Sequence, residues 1–172
     1  MENTTIRHIL SRRSIREFHE EQIPEEIITL LLKAAMNAPS ACNQQCRHYI
    51  IIEDRKVLNE LSTIHNGYLT IAAAPVSIVI CGEPAAAVLP GFWEHDCAAA
   101  AENILIAAES LGLGAVWQGV NPAAEAEISL VSKYIKLPDQ IRPFSIISMG
   151  YPKHKTPLQD KFNSDKIHYN LW

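Results

Sequence analysis

A long helix pattern at residues 96–111, apolar on almost every side, is the feature that most constrains how this chain folds. The segment reads DCAAAAENILIAAESL, and its charged side chains are those of Asp96, Glu102 and Glu109. Because apolar residues lie on every side of such a helix, other elements have to cover most of its surface. Gly112 follows directly, as is typical of a helix end. We therefore expect a central helix that the rest of the chain surrounds.

Short strand patterns and helix patterns alternate along the rest of the chain. The apolar run PVSIVIC at 75–81 is typical of a strand buried on both faces. Further strands are predicted at 48–53, 115–120 and 142–150. Further helices are predicted at 4–10, 55–62 and 123–137, and one more runs from Pro24 to the residue before Pro39. Short connections between these elements predict an α+β or α/β fold, with a small sheet and helices around it.

The length of the chain, 172 residues, fits one domain with its own core. We expect a single domain over residues 1–172, in which residues 151–172 form an extended C-terminal arm. The arm lacks a clean period but carries apolar side chains at Ile167, Tyr169, Leu171 and Trp172. Because water would otherwise surround these side chains, we expect the arm to wrap a partner subunit in a homodimer.

Charge and motifs argue against several classes of function. A net charge of −4 disfavours general nucleic-acid binding. The N-terminal segment MENTTIRHIL does not resemble a signal sequence, and no apolar run is long enough to span a bilayer. We therefore expect a cytoplasmic protein without a membrane partner. The seven histidines are scattered, and neither H-E-x-x-H nor G-x-S-x-G occurs, so neither a metal site nor a hydrolase is predicted.

The segment SRRSIR at residues 11–16 is the first candidate binding motif, because it contains Arg12, Arg13, Ser14 and Arg16. Guanidinium groups match phosphate oxygens with paired hydrogen bonds, and a serine hydroxyl adds a donor. The alternative is structural, since basic residues near the last turn of a helix complement its negative end. The sequence alone leaves both interpretations open.

Two further segments are candidate binding sites. The loop after the second helix, NAPSACNQQ, groups side chains that both donate and accept hydrogen bonds, as the edge of a heterocycle requires; it is equally compatible with a polar loop that makes local turns. In the segment GLGAVWQGV, the glycines Gly112 and Gly114 follow a helix and precede a strand, the reverse of a dinucleotide-binding turn. A glycine inside a strand pattern, such as Gly119, often marks a place where a ligand or another backbone comes close. Trp117 and Gln118 fit core or edge positions equally well.

Taken in order, five stretches resemble the nitroreductase family of FMN enzymes over nearly the whole chain: RRSIREF, APSACNQQ, DCAAAAENILIAAESLGLGAVWQG, GYPKHK and DKFNSDKIHYN. The short length resembles the compact branch of the family, which lacks a larger helical insertion. The resemblance implies an α+β fold of three layers, with a central mixed or antiparallel sheet flanked by helices. It also implies an intertwined homodimer with an extended C-terminal arm and two FMN sites at the subunit interface.

The resemblance further implies which residues bind FMN. Arg12, Arg13, Ser14 and Arg16 would hold the phosphate and the pyrimidine edge of the ring. The loop of the other subunit would contribute Pro39, Ser40, Ala41, Asn43 and Gln45. Trp117, Gln118 and Gly119 would lie against the N5 side, where a backbone N–H supports the reduced ring, and Lys161 would add a charge at the phosphate. Two residues depart from the family pattern: Cys46 replaces a proline, and Lys161 replaces an arginine and so loses the paired fork.

By the same resemblance, the chain is expected to be an NAD(P)H-dependent flavin oxidoreductase. Two electrons from NADH or NADPH would pass through flavin N5, by a ping-pong mechanism, to a small electron-poor acceptor such as a nitroaromatic or a quinone. No side chain is predicted to be catalytic, because the hydride chemistry belongs to the flavin. The alternatives are a flavin carrier or regulatory module without turnover, a relative that acts in dehalogenation or flavin breakdown, and a protein that binds another phosphate-bearing ligand.

Overall fold

The computed structural model describes residues 3–154 and 156–172, so Met1, Glu2 and Lys155 of the predicted domain lie outside the described residues. The helices are α1 (Thr4–Ser11), α2 (Glu25–Met36), α3 (Arg55–Ser62), α4 (Leu69–Ala73), α5 (Trp93–Ser110) and α6 (Glu125–Ile135). The strands are β1 (Arg47–Ile52), β2 (Val76–Gly82), β3 (Gly114–Gly119) and β4 (Arg142–Gly150). Across the described residues, no helix combines the length and the apolar composition that crossing a membrane requires.

The four strands form one sheet in the order β1-β2-β4-β3, and every neighbouring pair is antiparallel. Of the two predicted arrangements, mixed or antiparallel, the named strands adopt the antiparallel one. All seven residues of β2 are buried, which confirms the prediction of a strand covered on both faces. A single parallel bridge between Ser14 and Ala115 adds the segment after α1 to the edge of the sheet at β3.

Helices cover both faces of the sheet, which gives the three layers that were predicted. One core lies between the sheet and the pair α2 and α5, and it includes Leu31 and Ile104. The second core lies on the opposite face, under α3, α4 and α6, and includes Leu58, Ile71 and Val131. Successive residues of β2 point alternately into the two cores, as a period of two requires. The helix α5 packs in the interior, as its apolar pattern predicts.

Loss of one methyl group at the centre of α5 tests this packing. Ile104 is 0% exposed, so Ile104→Val is expected to lower the free energy of unfolding by about 0.5–1.5 kcal/mol, because the lost contacts are not replaced. Urea unfolding followed by far-UV circular dichroism measures this difference. Ile51→Val in β1, where the side chain is 39% exposed, is the matched control. An equal loss in both variants would contradict the central position of α5.

Several element boundaries differ from the prediction, each for a local reason. Pro24 has φ −56° and ψ 143°, which is extended backbone, so α2 begins one residue later, at Glu25. The helix predicted at 123–137 ends at Ile135, because Lys136 adopts a left-handed conformation with φ 54°. The helix α5 begins at Trp93, three residues before its predicted start. The short helix α4 was not predicted, because five residues are too few to display a helical period.

The C-terminal arm leaves the sheet after β4 and remains exposed from residue 156 to residue 172. Its apolar side chains lie largely in solvent, with Tyr169 85%, Leu171 84% and Trp172 100% exposed. The described part of the arm contains one short 3₁₀ turn, at Ser164–Lys166, and no strand. This is the extended course that was predicted. Its cover by a partner subunit stays a prediction.

Candidate functional site

The segment after α1 lies against the edge of β3. Ile15 N donates to Ala115 O at 2.9 Å. This close approach depends on Gly114, because a Cβ there would lie 2.7 Å from the Cβ of Ile15. The side chains of Ser14 and Arg16 are exposed beside this contact. The first candidate motif and the strand that carries Gly119 therefore belong to one edge of the sheet.

The three arginines of this segment have different surroundings. Arg13 Nη1 donates to Leu10 O at 2.9 Å and to Arg12 O at 2.7 Å, so its guanidinium binds the carbonyls at the end of α1. Arg12 Nε lies 3.6 Å from Glu102 Oε1, in a pair whose side chains are 23% and 48% exposed. Arg16 is exposed and makes one long contact, of 3.5 Å, with Ser14 O. The helix-end interpretation thus fits Arg13, whereas Arg12 and Arg16 can be reached by an anion.

The C-terminal arm passes beside the same arginines. Arg13 Nη2 donates to Gln159 O at 3.2 Å. Lys161 follows two residues later and is exposed, and two residues of chain span at most about 7 Å. A cavity of about 290 Å³ separates the arm from the body of the protein here, lined in part by Ser11, Arg13 and Leu158. The arm therefore brings a lysine close to the arginine segment.

At the other end of β3, the backbone N–H of Gly119 points away from the sheet. In an antiparallel pair the hydrogen bonds join alternate residues. Val120 N donates to Phe144 O at 2.9 Å, so the backbone groups of Val120 face β4. Two residues earlier, the backbone groups of Gln118 face β4 as well. The N–H of Gly119 consequently points to the open edge, as does the carbonyl of Ala115. A Cβ at Gly119 would meet no atom closer than Trp117 Nε1, at 3.8 Å, so there is space beside this glycine.

A buried network fixes the position of Gly119. Tyr68 is 0% exposed, and its single hydroxyl proton is shared between Glu127 Oε1 at 2.7 Å and Gly119 O at 3.1 Å. Asn121 N donates to the same carboxylate oxygen at 3.1 Å, and His65 Nε2 lies 3.6 Å from it. Burial, followed by the hydrogen bond to Glu127, raises the pKa of Tyr68. The phenol therefore remains a donor, and the peptide that follows Gly119 is held in one orientation.

The side chains of Trp117 and Gln118 pack into the protein. Gln118 is 6% exposed, and with its amide nitrogen turned inward it donates to Ile146 O at 2.8 Å and to Ser148 Oγ at 3.2 Å. Trp117 packs edge to face on Phe144, with ring centroids 5.7 Å apart. The interpretation in which these side chains occupy structural positions in the core or at the edge of the sheet therefore fits both. Of the two residues, Trp117 presents its backbone groups to the open edge, whereas those of Gln118 face β4.

The second candidate motif lies elsewhere, at the start of α5. Ala41 N donates to Asp96 Oδ1 at 2.9 Å, and Gln44 Nε2 donates to Asp96 Oδ2 at 2.5 Å. Asn43 and Gln45 are exposed and are joined by a hydrogen bond of 2.7 Å between Gln45 Nε2 and Asn43 Oδ1. Among residues 3–154 and 156–172, no hydrogen bond or ion pair joins this loop to the arginine segment or to Gly119. The loop contacts α5 at Asp96, whereas the arginine segment contacts the same helix further along, at Glu102 and Glu109, so a single chain carries the candidate residues as two separate groups.

The nitroreductase family profile matches residues 9–75 and 66–151, most of the chain. The chain belongs to the nitroreductase family. It is 40% identical over 164 residues to a Methanothermobacter thermautotrophicus protein provisionally named NADH dehydrogenase/NAD(P)H nitroreductase, and the match covers 95% of this chain and 85% of that protein. A Parabacteroides distasonis structure with the same provisional name superposes with a TM-score of 0.94 at 37% identity, covering 99% of this chain and 100% of the other. An FMN-dependent nitroreductase from Clostridium difficile superposes with a TM-score of 0.90 at 27% identity, covering 97% and 99%.

Sequence reasoning missed three charged residues that position the loops of this nitroreductase: Asp96, Arg47 and Glu127. Asp96 is 4% exposed and Arg47 is 9% exposed. Asp96 directly precedes the apolar run of α5, and Arg47 directly precedes the apolar strand pattern. A buried charge needs partners, but nothing in these neighbouring residues indicates that either side chain is buried. The partners themselves are distant in sequence, so no local pattern could identify them.

Proposed function

We propose that this nitroreductase binds FMN along the edge of β3 and passes electrons from NADH or NADPH to a small electron-poor acceptor, such as a nitroaromatic or a quinone. The observation that carries the proposal is the shared edge: accessible arginines lie at one end of β3, and an outward backbone N–H lies at the other. The names of the relatives, NAD(P)H nitroreductase and FMN-dependent nitroreductase, support the same activity. The chain is an enzyme of the NAD(P)H-dependent flavin oxidoreductase class.

The residues present fit the two ends of FMN. Arg12, Ser14 and Arg16 supply guanidinium and hydroxyl donors for a phosphate dianion. Gly119 lies four residues beyond the Ala115 contact, about 13 Å along an extended strand, which leaves room for the ribityl chain between phosphate and ring. Lys161 would add a positive charge from the arm. In this proposal Arg13 contributes through the end of α1, Trp117 contributes through its backbone, and Gln118 contributes by anchoring β3 to β4 through its side chain.

FMN bound here would supply the redox chemistry, namely transfer of two electrons from the nicotinamide to the acceptor in two half-reactions, with ping-pong kinetics. The chain's own residues bind and orient. The N–H of Gly119 would donate at the N5 edge, and Tyr68 would keep that backbone in place. No side chain is required as a strong acid or base, so we assign no catalytic side chain.

We further propose that the active form is a homodimer. Pro39, Ser40, Ala41, Asn43 and Gln45 lie apart from the arginine segment within one chain, so the loop of a second copy would complete the site. The exposed apolar side chains of the arm provide the area for such an interface. In this proposal residues 1–172 form one flavin-binding domain, and residues 151–172 form the arm that wraps the partner. A cytoplasmic location stays a prediction from the sequence.

Removal of the end of the arm tests the dimer. A chain that stops before Ile167 loses the side chains of Tyr169, Leu171 and Trp172, which are 85%, 84% and 100% exposed in the single chain. We expect a higher dimer dissociation constant, because the apolar area buried between subunits falls. Light scattering over a dilution series measures it. Lys166→Ala in the full-length chain is the control, and an unchanged mass for the shortened chain at every concentration would refute the role of the arm.

The colour of the purified protein separates the proposed enzyme from a flavin carrier. Both bind FMN and show flavin absorbance bands. Under anaerobic conditions, NADH or NADPH should bleach the yellow colour of an enzyme, and addition of a quinone or a nitroaromatic should restore it. Colour that persists with both nicotinamides would favour a carrier or regulatory module. Absence of flavin bands after reconstitution with FMN would exclude both and favour another phosphate-bearing ligand.

A further inference from the structure

We infer that Asp96 is a positioning residue, which holds the loop of residues 39–45 in the shape needed to reach FMN in the partner subunit. The inference rests on the proposed function for the place of FMN. The contacts that carry it lie within one chain. The inference rests on three features: an unfavourable backbone in the loop, a buried carboxylate that accepts hydrogen bonds from the loop, and a buried arginine that binds the carbonyls at its start.

The loop of residues 39–45 has an unfavourable backbone. Cys42, Asn43 and Gln45 have φ values of 48°, 54° and 47°. These values lie in the left-handed region, where a Cβ approaches the following carbonyl oxygen. Asparagine tolerates this region, whereas cysteine and glutamine adopt it rarely. A loop with this backbone keeps its shape only if the surrounding structure imposes it.

Asp96 supplies that restraint from the first turn of α5. Its two carboxylate oxygens accept one bond each, from Ala41 N at 2.9 Å and from Gln44 Nε2 at 2.5 Å. The other end of the Gln44 amide is also committed, because Leu89 N donates to Gln44 Oε1 at 2.9 Å. The amide therefore has one possible orientation. Asp96 also lies at the end of α5 where the helix dipole favours a negative charge.

Arg47 adds a second restraint, at the start of the loop. Its guanidinium donates to Ala38 O at 2.9 Å, to Pro39 O at 3.4 Å and to Asp96 O at 3.2 Å. It thereby fixes the carbonyls at the start of the loop and places a positive charge near the buried carboxylate. Asp96 and Arg47 are 4% and 9% exposed, and burial of such groups costs free energy unless they are well bonded. Two buried charges are thus committed to one surface loop.

The result is a rigid loop with exposed polar groups. Ser40 Oγ accepts from Gln45 N at 3.2 Å, and the amides of Asn43 and Gln45 are bonded to each other on the outer side. Asp96 lies on the inner side and would not touch a ligand. Its contribution is to fix the loop before binding, so that less conformational entropy is lost when FMN binds.

Asp96→Asn tests the inference, because it keeps the shape but replaces one acceptor by a donor. The new amide nitrogen is a donor, and it would face another donor, either Ala41 N or Gln44 Nε2. If the Gln44 amide turned over to avoid this, Leu89 N would lose its acceptor. We expect amide hydrogen exchange over residues 40–46 of the apoprotein to become faster, while exchange in β2 is unchanged. The FMN dissociation constant should rise about tenfold, which corresponds to about 1.4 kcal/mol. Glu94→Gln on the same turn of α5 is the matched control, for which neither quantity should change.

A second variant and a mixed dimer separate positioning from a general loss of structure. Gln44→Met removes the amide from the other side and should act in the same direction, with Asp96 intact. A mixed dimer of Asp96→Asn and Arg16→Ala chains, purified through two different tags, should bind FMN with unaltered affinity at one of its two sites. This follows because one site combines the intact loop of one chain with the intact arginine of the other.

The outcomes are distinguishable. Weak binding at both sites of the mixed dimer would overturn the action of Asp96 on the partner subunit. Unchanged exchange and unchanged FMN affinity in both Asp96→Asn and Gln44→Met would overturn the inference alone. If the unaltered chain bound no FMN, the proposed function would fail and the inference would fail with it.

Discussion

Replacement of both Arg12 and Arg16 by alanine is expected to raise the FMN dissociation constant at least about 100-fold. A hydrogen bond to a charged group contributes about 1.5–3 kcal/mol, and about 1.4 kcal/mol corresponds to a factor of ten. Loss of two such contacts therefore predicts a factor of about 100 or more. The competing partner of Arg12 is Glu102 at 3.6 Å, and a partly exposed pair of this kind contributes little to stability. The fold should thus survive the change.

Fluorescence titration of the apoprotein with FMN measures this affinity. Arg142→Ala is the matched control, because Arg142 is also exposed and forms an ion pair of 3.1 Å with Glu125, away from the arginine segment. It removes a similar charge and should leave FMN affinity unchanged. If the double variant kept its affinity for FMN, the assignment of the phosphate to this segment would be wrong.

Gly119→Pro is expected to slow the reduction of bound flavin by about 10–100-fold, whereas Gly119→Ala is expected to stay close to the unaltered rate. Proline removes the N–H that points to the open edge, and an edge strand tolerates proline where that N–H is outside the ladder. Loss of a hydrogen bond that strengthens as charge develops costs about 1.5–3 kcal/mol, and each 1.4 kcal/mol is about a factor of ten in rate. Alanine keeps the N–H, and its Cβ would meet no atom closer than 3.8 Å.

Anaerobic stopped-flow absorbance with saturating NADH or NADPH measures the reduction rate in both variants, each loaded with FMN. Circular dichroism checks that the sheet is intact in both variants, because Gly119 is the last residue of β3, which pairs with β4. Equal rates for the proline and alanine variants would show that the N–H of Gly119 takes no part in flavin reduction. A rate lowered equally in both would instead indicate a steric effect of the Cβ.

Much of the fold could be predicted because its determinants are local. The strand at 142–150 and the helix at 55–62 have the predicted boundaries, since both show a clear pattern of residue types. The central place of α5 follows from a surface that is apolar on all sides. The order of the motifs was sufficient to suggest the family, which the family match then established.

The candidate site was less predictable, because its residues act through distant partners. Three arginines in six positions look equivalent in the sequence, yet Arg13 binds the carbonyls at the end of α1 while Arg16 is exposed. The loop of residues 39–45 was identified as polar, but its left-handed residues and its dependence on Asp96 were not. A sequence pattern reports which face of an element is buried, and it does not report which atoms meet there.

The sequence by itself determined the elements other than α4, the central helix, the family and the residue types that a phosphate and a flavin ring require. Only the tertiary structure decided the antiparallel order of the strands, the direction of the Gly119 N–H and the separation of the arginine segment from the loop of residues 39–45. The physical reason is the distance along the chain between the residues that interact. Helix and strand periodicity arise from neighbouring residues, whereas strand register and side-chain partners depend on contacts between residues far apart in the chain, such as Tyr68 with Gly119 and Asp96 with Ala41.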